Sequence, residues 1–268
     1  MKLIPILKKK AENNGSVMVG AEPIFIEKGS KVGALLLHGF SSSPHQFKEL
    51  SQFLASKDIT VLAPLLKGHG TSPLEMAKTT RFDWKNSAEE AYSQLKEKVE
   101  KIIIIGNSFG GNLALSLAQK TDDSLIGIVS LNTPIRLKYH NFIKFRIFLY
   151  GWLKKYYRKP RRVYKIDYID MSDEVTYSII PVKCMSEFFR FIEEDTALNL
   201  EKVKTPILIA HANTDPVVDP GSATFIHEHL GSKHKIIYWF DSNQHGMIKE
   251  EKCYGLFERI YSFIKEII

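Results

Sequence analysis

Cysteine is scarce in this chain of 268 residues, which contains only Cys184 and Cys253. The two form no CxxC motif and have no histidine pair at zinc-ligand spacing nearby, which argues against a disulfide framework or a structural metal site. Their scarcity fits a reducing compartment. A chain of this length with 44% hydrophobic residues is large enough to bury a core without either kind of cross-link.

The sequence also lacks a long apolar run. At its start, the apolar stretch in residues 1–10 is broken by Pro5 and followed by three lysines, so it is too short for a secretory signal peptide. The most apolar later stretch, residues 142–153, includes Lys144 and Arg146 and falls short of the roughly 20 residues that span a bilayer. We therefore expect an unprocessed cytoplasmic protein.

Acidic residues are missing from one segment of a chain whose net charge is +7. Residues 136–165 contain eleven of the 37 Lys and Arg residues and no Asp or Glu, which leaves 26 cations against 30 acids elsewhere, or −4. The positive charge is therefore a local property. Basic and aromatic residues together also occur in nucleic-acid-binding proteins, but no RNP-like or helix-turn-helix pattern is present, and we expect no nucleic-acid partner.

Short apolar runs alternate with helical patterns along most of the chain. Most of the runs are continuously apolar, as strands buried on both faces of a parallel sheet are. The runs cover residues 24–27, 33–37, 59–63, 101–105, 125–131, 206–211 and 235–240, and the helical patterns cover 43–56, 83–99, 108–119, 222–230 and 249–267. This order predicts an α/β fold with a mostly parallel sheet flanked by helices.

The alternation stops after Leu131 and resumes near residue 206. We assign residues 1–133 and 201–268 to the core of the fold. Residues 134–200 are predicted to form an inserted cap, or lid, above the sheet.

Ser108 lies in the sequence Gly106-Asn107-Ser108-Phe109-Gly110, between a strand of four isoleucines and an apolar helix. This is the Gly-x-Ser-x-Gly pattern of a nucleophile elbow in its strand–turn–helix context. The glycines are needed because the chain passes too close to itself for a Cβ. Ser108 has the alternative role of a helix N-cap, so partners elsewhere in the sequence must decide between the two roles.

An acid and a histidine follow in the order Ser, acid, His, each in a turn after a later strand. Asp215 follows the run 206–211, and His245 is the only one of nine histidines after the run 235–240. Open α/β sheets place their sites at such strand ends. We predict Ser108 as nucleophile, His245 as general base and Asp215 as the acid that orients the imidazole.

Alternatives exist for the acid and for a further histidine. Asp219 precedes Pro220, where capping a helix is the natural role, and Asp241 belongs to the end of the last strand. Asp215 is favoured because it comes first after its strand. His69, between two glycines, has the alternatives of a metal ligand or second base, but no partner spacing supports them and a structural loop role is favoured.

Acyl transfer also needs N–H donors for the developing oxyanion. One predicted donor is the backbone N–H of Phe109, the residue after the nucleophile, at a helix N-terminus. The other is the N–H of Phe40, which follows His38-Gly39 at the end of the apolar run 33–37.

These residues resemble the α/β-hydrolase superfamily and, within it, the small bacterial-type carboxylesterases and monoacylglycerol lipases. The resemblance extends from about residue 33 to the C-terminus, is weakest in the insertion, and rests on the segments 37–44 and 64–72, on Asp83-Trp84, on the elbow and on the turns of Asp215 and His245. It implies the triad and the two donors named above, and no metal or organic cofactor. Asn107 and Phe109 flank the serine where relatives often have other residues, a departure that bears on the acyl pocket.

The function expected from this resemblance is hydrolysis of small to medium-chain acyl esters or monoacylglycerols through an acyl-enzyme. Residues 139–191 contain 14 of the 30 aromatic residues, and we expect about half to form the cap's own core and the rest to line an acyl pocket. The cations of the cap favour weak contact with anionic lipid surfaces. A catalytically silent protein that binds a lipid or partner is the alternative, as is a thioesterase, amidase or perhydrolase with the same triad.

Overall fold

The computed structural model describes residues 16–120, 122–150, 155–159, 175–242 and 255–268, together with 245, 248 and 253; for residues 140, 146, 148 and 150 the description is of the backbone. Strands within these residues form a seven-stranded sheet and a two-stranded sheet. The strands are β1 (Ile24–Ile26), β2 (Val32–Leu37), β3 (Thr60–Ala63), β4 (Lys101–Asn107), β5 (Leu125–Leu131), β6 (Tyr156–Arg158), β7 (Ile179–Pro181), β8 (Ile207–Ala212) and β9 (Lys235–Phe240).

The larger sheet has the order β1-β3-β2-β4-β5-β8-β9. Every neighbouring pair in it is parallel except β1 with β3. The prediction of a mostly parallel sheet is therefore confirmed. Strand order reverses beside β2, so the loops after β2 and β4 meet at the carboxyl edge of the sheet, where sites of open α/β sheets form.

Helices connect these strands and cover both faces of the sheet. They are α1 (Lys48–Ser56), α2 (Pro73–Met76), α3 (Arg81–Lys96), α4 (Phe109–Leu117), α5 (His140–Tyr150), α6 (Val182–Arg190), α7 (Gly221–His229) and α8 (Leu256–Ile267). The helix predicted from Ser43 begins as a 3₁₀ turn at Pro44, and the Ser43 side chain makes no capping hydrogen bond. The last helix starts later than predicted, after Gly255 at φ +76°; residues 249–252 of its predicted range lie outside the described residues.

Successive isoleucines of β4 explain why this strand is apolar throughout. Ile102 and Ile104 pack with one buried cluster, whereas Ile103 and Ile105 pack with the cluster on the opposite face. All four are fully buried, because side chains alternate across a strand that has helices on both sides. The central strand is thereby fixed, and with it the position of the residue that follows it.

The connection between β5 and β8 contains α5, the hairpin of β6 and β7, and α6. It corresponds to the predicted cap, residues 134–200, whose boundaries stay a prediction. Its last part packs closely on the sheet, since Phe188 and Phe191 lie in the same buried cluster as Trp84 and Phe109. Within the described residues, no helix has the length and apolar character needed to cross a membrane.

Candidate active site

Ser108 occupies the turn between β4 and α4 in a backbone conformation that side chains rarely adopt, with φ +53° and ψ −121°. Its N–H donates to the Leu131 carbonyl at 2.8 Å, and its carbonyl accepts from the Gly111 N–H at 2.9 Å. Ser108 stands at the N-cap position of α4, but its side chain makes no capping hydrogen bond. The hydroxyl is therefore directed to another partner.

Close packing around this turn explains the glycines of the motif. A Cβ at Gly106 would overlap the backbone of Gly110, and a Cβ at Gly110 would overlap the carbonyl of Leu37 at the end of β2. This packing also brings the loop after β2 to the serine, since a Cβ at Gly39 would lie 3.4 Å from the Ser108 Cβ.

The three residues predicted as a triad are joined by two hydrogen bonds. His245 Nε2 lies 3.0 Å from Ser108 Oγ, and His245 Nδ1 lies 2.7 Å from Asp215 Oδ2. Ser108 follows β4, Asp215 follows β8 and His245 follows β9, so the carboxyl ends of three strands supply the arrangement. The distances are those of a base within hydrogen-bond reach of a nucleophile.

Asp215 is fully buried, and backbone N–H groups hydrogen-bond the carboxylate oxygen that does not face His245. The N–H groups of Val217 and Val218 donate to Oδ1 at 2.7 and 2.9 Å. Burial by itself would raise the pKa of Asp215, but His245 and the two N–H groups outweigh it and hold that pKa below its usual value. The carboxylate is thus ionised while it faces the imidazole.

The alternative acids have other partners. Asp219 Oδ1 accepts from the Gly221 N–H at 2.9 Å, at the beginning of α7, which is the capping role anticipated for it. Asp241 Oδ1 accepts from the Asn213 side chain at 2.6 Å. The structure brings Asp215 to His245, and does not bring either of the other two into hydrogen-bond contact with it.

The peptide that carries the Phe40 N–H is fixed by its carbonyl. The Gly39 carbonyl lies 3.0 Å from His38 Nδ1 and accepts from the Ser42 N–H at 3.1 Å. Because the C=O and N–H of a trans peptide point in opposite directions, these hydrogen bonds also set the direction of the Phe40 N–H. The other predicted donor, Phe109, begins α4 directly after the serine.

His38 is neutral in this position, with an assignable tautomer. Its Nε2 accepts from the Leu66 N–H at 3.1 Å, which leaves the hydrogen on Nδ1 to bond the Gly39 carbonyl. Complete burial lowers the pKa of His38 to about 4. The imidazole therefore donates from one nitrogen and accepts at the other near neutral pH.

The contacts of His69 are those of a structural loop residue, which is the role that the sequence favours. Its ring packs against those of His38, Phe40 and Trp84, and its Nδ1 lies 3.2 Å from the Lys67 carbonyl. Burial, helped by the neighbouring His38, lowers the pKa of His69 to about 3. No set of three or more His, Cys, Asp or Glu residues in the described part of the chain is arranged to hold a metal ion.

A pocket of about 840 Å³ opens beside Ser108 and His245. One side is polar and comes from the loop and helix after β2. The rest of the lining comes largely from the segment between β5 and β8. Its polar members are Lys138, Lys159 and Thr176, and its apolar and aromatic members include Leu137, Tyr139, Phe142, Ile143, Tyr157, Ile180, Met185, Phe188, Val217 and Ile248. Four of the aromatic residues counted in residues 139–191 thus line the pocket, whereas Trp152, Tyr164 and Tyr168 lie outside the described residues.

The sequence reasoning missed several polar residues around the site. Gln46 Oε1 accepts from the Gly39 N–H at 3.2 Å, and Asn132 Oδ1 accepts from the Ala212 N–H at 2.8 Å, which ties the ends of β5 and β8 together. His211 is buried near Asp215, and burial lowers its pKa to about 4. Of these residues, Asn132 had a signal in the sequence, because it is a polar residue directly after the buried strand β5.

Comparison with known proteins places this arrangement in a family. A family model described as serine aminopeptidase, S33, matches residues 31–252, which is most of the chain. The chain belongs to the S33 hydrolase family. Its α/β-hydrolase fold, inferred above from sequence resemblance, is confirmed.

Several relatives and structural neighbours of this S33 hydrolase are lipolytic enzymes. It is 34% identical over 229 residues to a thermostable monoacylglycerol lipase of Bacillus sp. (strain H-257), covering 85% of this chain and 88% of the relative. It is 23% identical over 246 residues to a carboxylesterase of Bacillus subtilis (strain 168), covering 91% and 96%. A metagenome-derived lipolytic enzyme structure superposes with a TM-score of 0.83 at 27% identity, covering 94% of this chain and all of the other. The S33 hydrolase is thus an enzyme of the carboxylesterase and monoacylglycerol lipase type.

The strained backbone at Ser108 gives a stability prediction. Glycine at this position removes the steric conflict, whereas alanine retains the Cβ. We expect Ser108→Gly to have a free energy of unfolding about 1 kcal/mol higher than Ser108→Ala, because relief of strain exceeds the entropy that glycine adds to the unfolded chain. Urea denaturation measures the difference.

Ser116, inside α4, provides the matched control. There the helix is regular, and Ser116→Ala is expected to be more stable than Ser116→Gly. If glycine were less stable than alanine at both positions, the turn at Ser108 would not be strained.

Proposed function

We propose that this protein hydrolyses carboxylic esters by a serine mechanism with an acyl-enzyme intermediate. The observation that carries the proposal is the unbroken hydrogen-bond chain from buried Asp215 through His245 to Ser108. Such a chain activates a serine hydroxyl, which is a weak nucleophile at its ordinary pKa. The lipolytic relatives support an ester as the bond that is cleaved.

In the first half of the reaction, Ser108 Oγ attacks the ester carbonyl and its proton passes to His245 Nε2. Ionised Asp215 holds the imidazole by Nδ1 and stabilises the imidazolium that forms. The carbonyl oxygen becomes negative and accepts hydrogen bonds from the N–H groups of Phe40 and Phe109. The C–O bond to the alcohol then breaks as His245 returns the proton to the leaving oxygen.

In the second half, water takes the place of the alcohol. His245 removes a proton from the water as it attacks the acyl carbon, and the same two N–H groups stabilise the second oxyanion. Collapse of this intermediate breaks the bond to Ser108 Oγ, which regains its proton from His245. The free acid and the unmodified serine result.

The pocket supports a medium-length acyl chain as substrate. Its lining includes the apolar residues Ile143, Ile180, Met185 and Phe188 from the predicted cap and several polar residues from the loop and helix after β2. We infer that the acyl chain lies along the apolar side and that a small polar alcohol, such as glycerol, lies on the other. A monoacylglycerol fits both sides.

The predicted cap also presents apolar side chains to solvent. Phe142, Phe145 and Leu149 follow one another along one side of α5 with exposed fractions of 60%, 56% and 40%. Phe142 also lines the pocket, so this surface is continuous with the active site.

The same segment is basic. Six of the eleven cations of residues 136–165 have described side chains; Arg146 is described by its backbone and the other four lie outside the described residues. We propose that α5 contacts an anionic lipid–water interface.

Exchange of single residues tests the catalytic assignment. We expect Ser108→Ala to abolish labelling by a fluorophosphonate, and Asp215→Asn to lower kcat on p-nitrophenyl butyrate by about 10³-fold to 10⁴-fold. Asp219→Asn is the matched control and should stay within about tenfold of wild type, because Asp219 caps a helix. A wild-type protein that is never labelled, or equal losses in the two Asn variants, would contradict the assignment.

A series of p-nitrophenyl esters from about two to sixteen carbons tests the acyl pocket. Each methylene that enters apolar surroundings contributes at most about 0.8 kcal/mol, so kcat/KM should rise by up to about fourfold per methylene until the pocket is filled. Ile143→Trp should shorten the preferred chain. Leu149→Trp, on the same helix but outside the pocket, should not. A steady fall in kcat/KM beyond the acetyl ester would refute the pocket.

Sedimentation with vesicles tests the interface. The protein should bind phosphatidylglycerol vesicles more tightly than phosphatidylcholine vesicles, and Phe145→Ser should weaken binding by roughly fivefold to tenfold, since burial of a phenylalanine side chain contributes about 1.5–3 kcal/mol when complete. Phe82→Ser, on α3 and equally exposed at 59%, is the control. Equal effects of the two substitutions would exclude α5 as the contact.

A further inference from the structure

The loop that carries the proposed donor Phe40 contains a second strained residue. Ser41, directly after Phe40, has φ +61° and is almost completely buried. A residue other than glycine holds such a conformation only when its surroundings determine it. The contacts of Ser41 therefore bear on how Phe40 is positioned.

Two hydrogen bonds from the segment before β7 fix the Ser41 carbonyl. It accepts from the Tyr177 N–H at 3.0 Å and from Thr176 Oγ1 at 2.8 Å. Lys159 Nζ lies 3.0 Å from the same Thr176 Oγ1. Because an ammonium group only donates, the threonine oxygen accepts from Lys159 and its hydrogen is directed to Ser41.

The Tyr177 side chain ties this contact to a third loop. Its hydroxyl donates to the Gly68 carbonyl at 3.0 Å and accepts from the Thr71 N–H at 2.7 Å. The loop 66–71 also holds His38, through the Leu66 N–H. Tyr177 thus spans from the loop after β2 to the loop that supports His38, and its ring is buried between them.

We propose that Thr176 and Tyr177 are positioning residues for the oxyanion donor Phe40. His38 fixes the Gly39 carbonyl on one side of Phe40, and the two residues of the predicted cap fix the Ser41 carbonyl on the other. The peptide before Phe40 and the peptide after Ser41 are therefore both held, so the chain is fixed on either side of Phe40. The inference rests on the proposed serine mechanism, in which the Phe40 N–H binds the oxyanion.

Substitution of the Thr176 hydroxyl tests the proposal. Loss of a whole oxyanion donor lowers kcat by about 10²-fold to 10³-fold, so a donor that is only misdirected should cost less. We expect Thr176→Val to lower kcat on p-nitrophenyl butyrate by about tenfold with KM within about twofold of wild type. Thr176→Ser retains the hydroxyl and should retain the activity.

Tyr177→Phe removes the contacts to Gly68 and Thr71 and should have a similar effect on kcat. Tyr92→Phe is the control, since it removes a tyrosine hydroxyl that lies on α3 beside Asp122 and not against the Phe40 loop. Comparable melting temperatures of the two phenylalanine variants would separate positioning from general stability.

A trifluoromethyl ketone with a butyl chain gives a second readout. Ser108 Oγ adds to its carbonyl carbon, the proton passes to His245, and the carbonyl oxygen becomes an oxyanion in the donor site. Affinity for this probe should fall by the same factor as kcat in Thr176→Val. Unchanged kcat, or a lower kcat with unchanged probe affinity, would overturn the proposal. Failure of the serine mechanism would give a different result, because the wild-type protein itself would then not be labelled by a fluorophosphonate.

Discussion

The close approach of β2, β4 and α4 is the constraint on which the site depends. Gly106 and Gly110 let the helix N-terminus lie against the end of the neighbouring strand with no room for a side chain. This contact forces Ser108 into a conformation with positive φ, and only a turn fixed by packing on both sides keeps it there. The fully buried isoleucines of β4 fix the strand that leads into this turn.

The same contact determines which groups can meet the serine. Since β4 is central, the parallel strands β2, β8 and β9 end at the same edge of the sheet as β4, and each delivers one component of the candidate site. Asp215 is kept ionised by His245 and by two N–H groups of its own turn, so in the proposed mechanism the carboxylate is already charged when the His245 imidazolium forms. The electrostatic arrangement is thus built before any substrate binds.

Local patterns identified the fold and the candidate triad, but not the polar contacts that hold the loops. Buried strands, glycines at a tight turn and an acid and a histidine after later strands are all visible within a few residues. Tyr177 has no such signal, because its partners Gly68 and Thr71 lie 109 and 106 residues away in sequence and the contacts depend on tertiary packing. The helix predicted from residue 249 begins at Leu256 because helical periodicity does not mark where Gly255 turns the chain.

The segment between β5 and β8 bears on the proposed catalysis in two ways. Its apolar side chains line much of the pocket, and its Thr176 and Tyr177 donate hydrogen bonds to the carbonyl of Ser41, directly after the proposed oxyanion donor Phe40. Lys159, one of the cations of the basic segment, bonds the same Thr176 hydroxyl. Positive charge in this segment thus contributes to the hydrogen-bond chain behind the proposed oxyanion site, so the charge of the segment is not only a property of the outer surface.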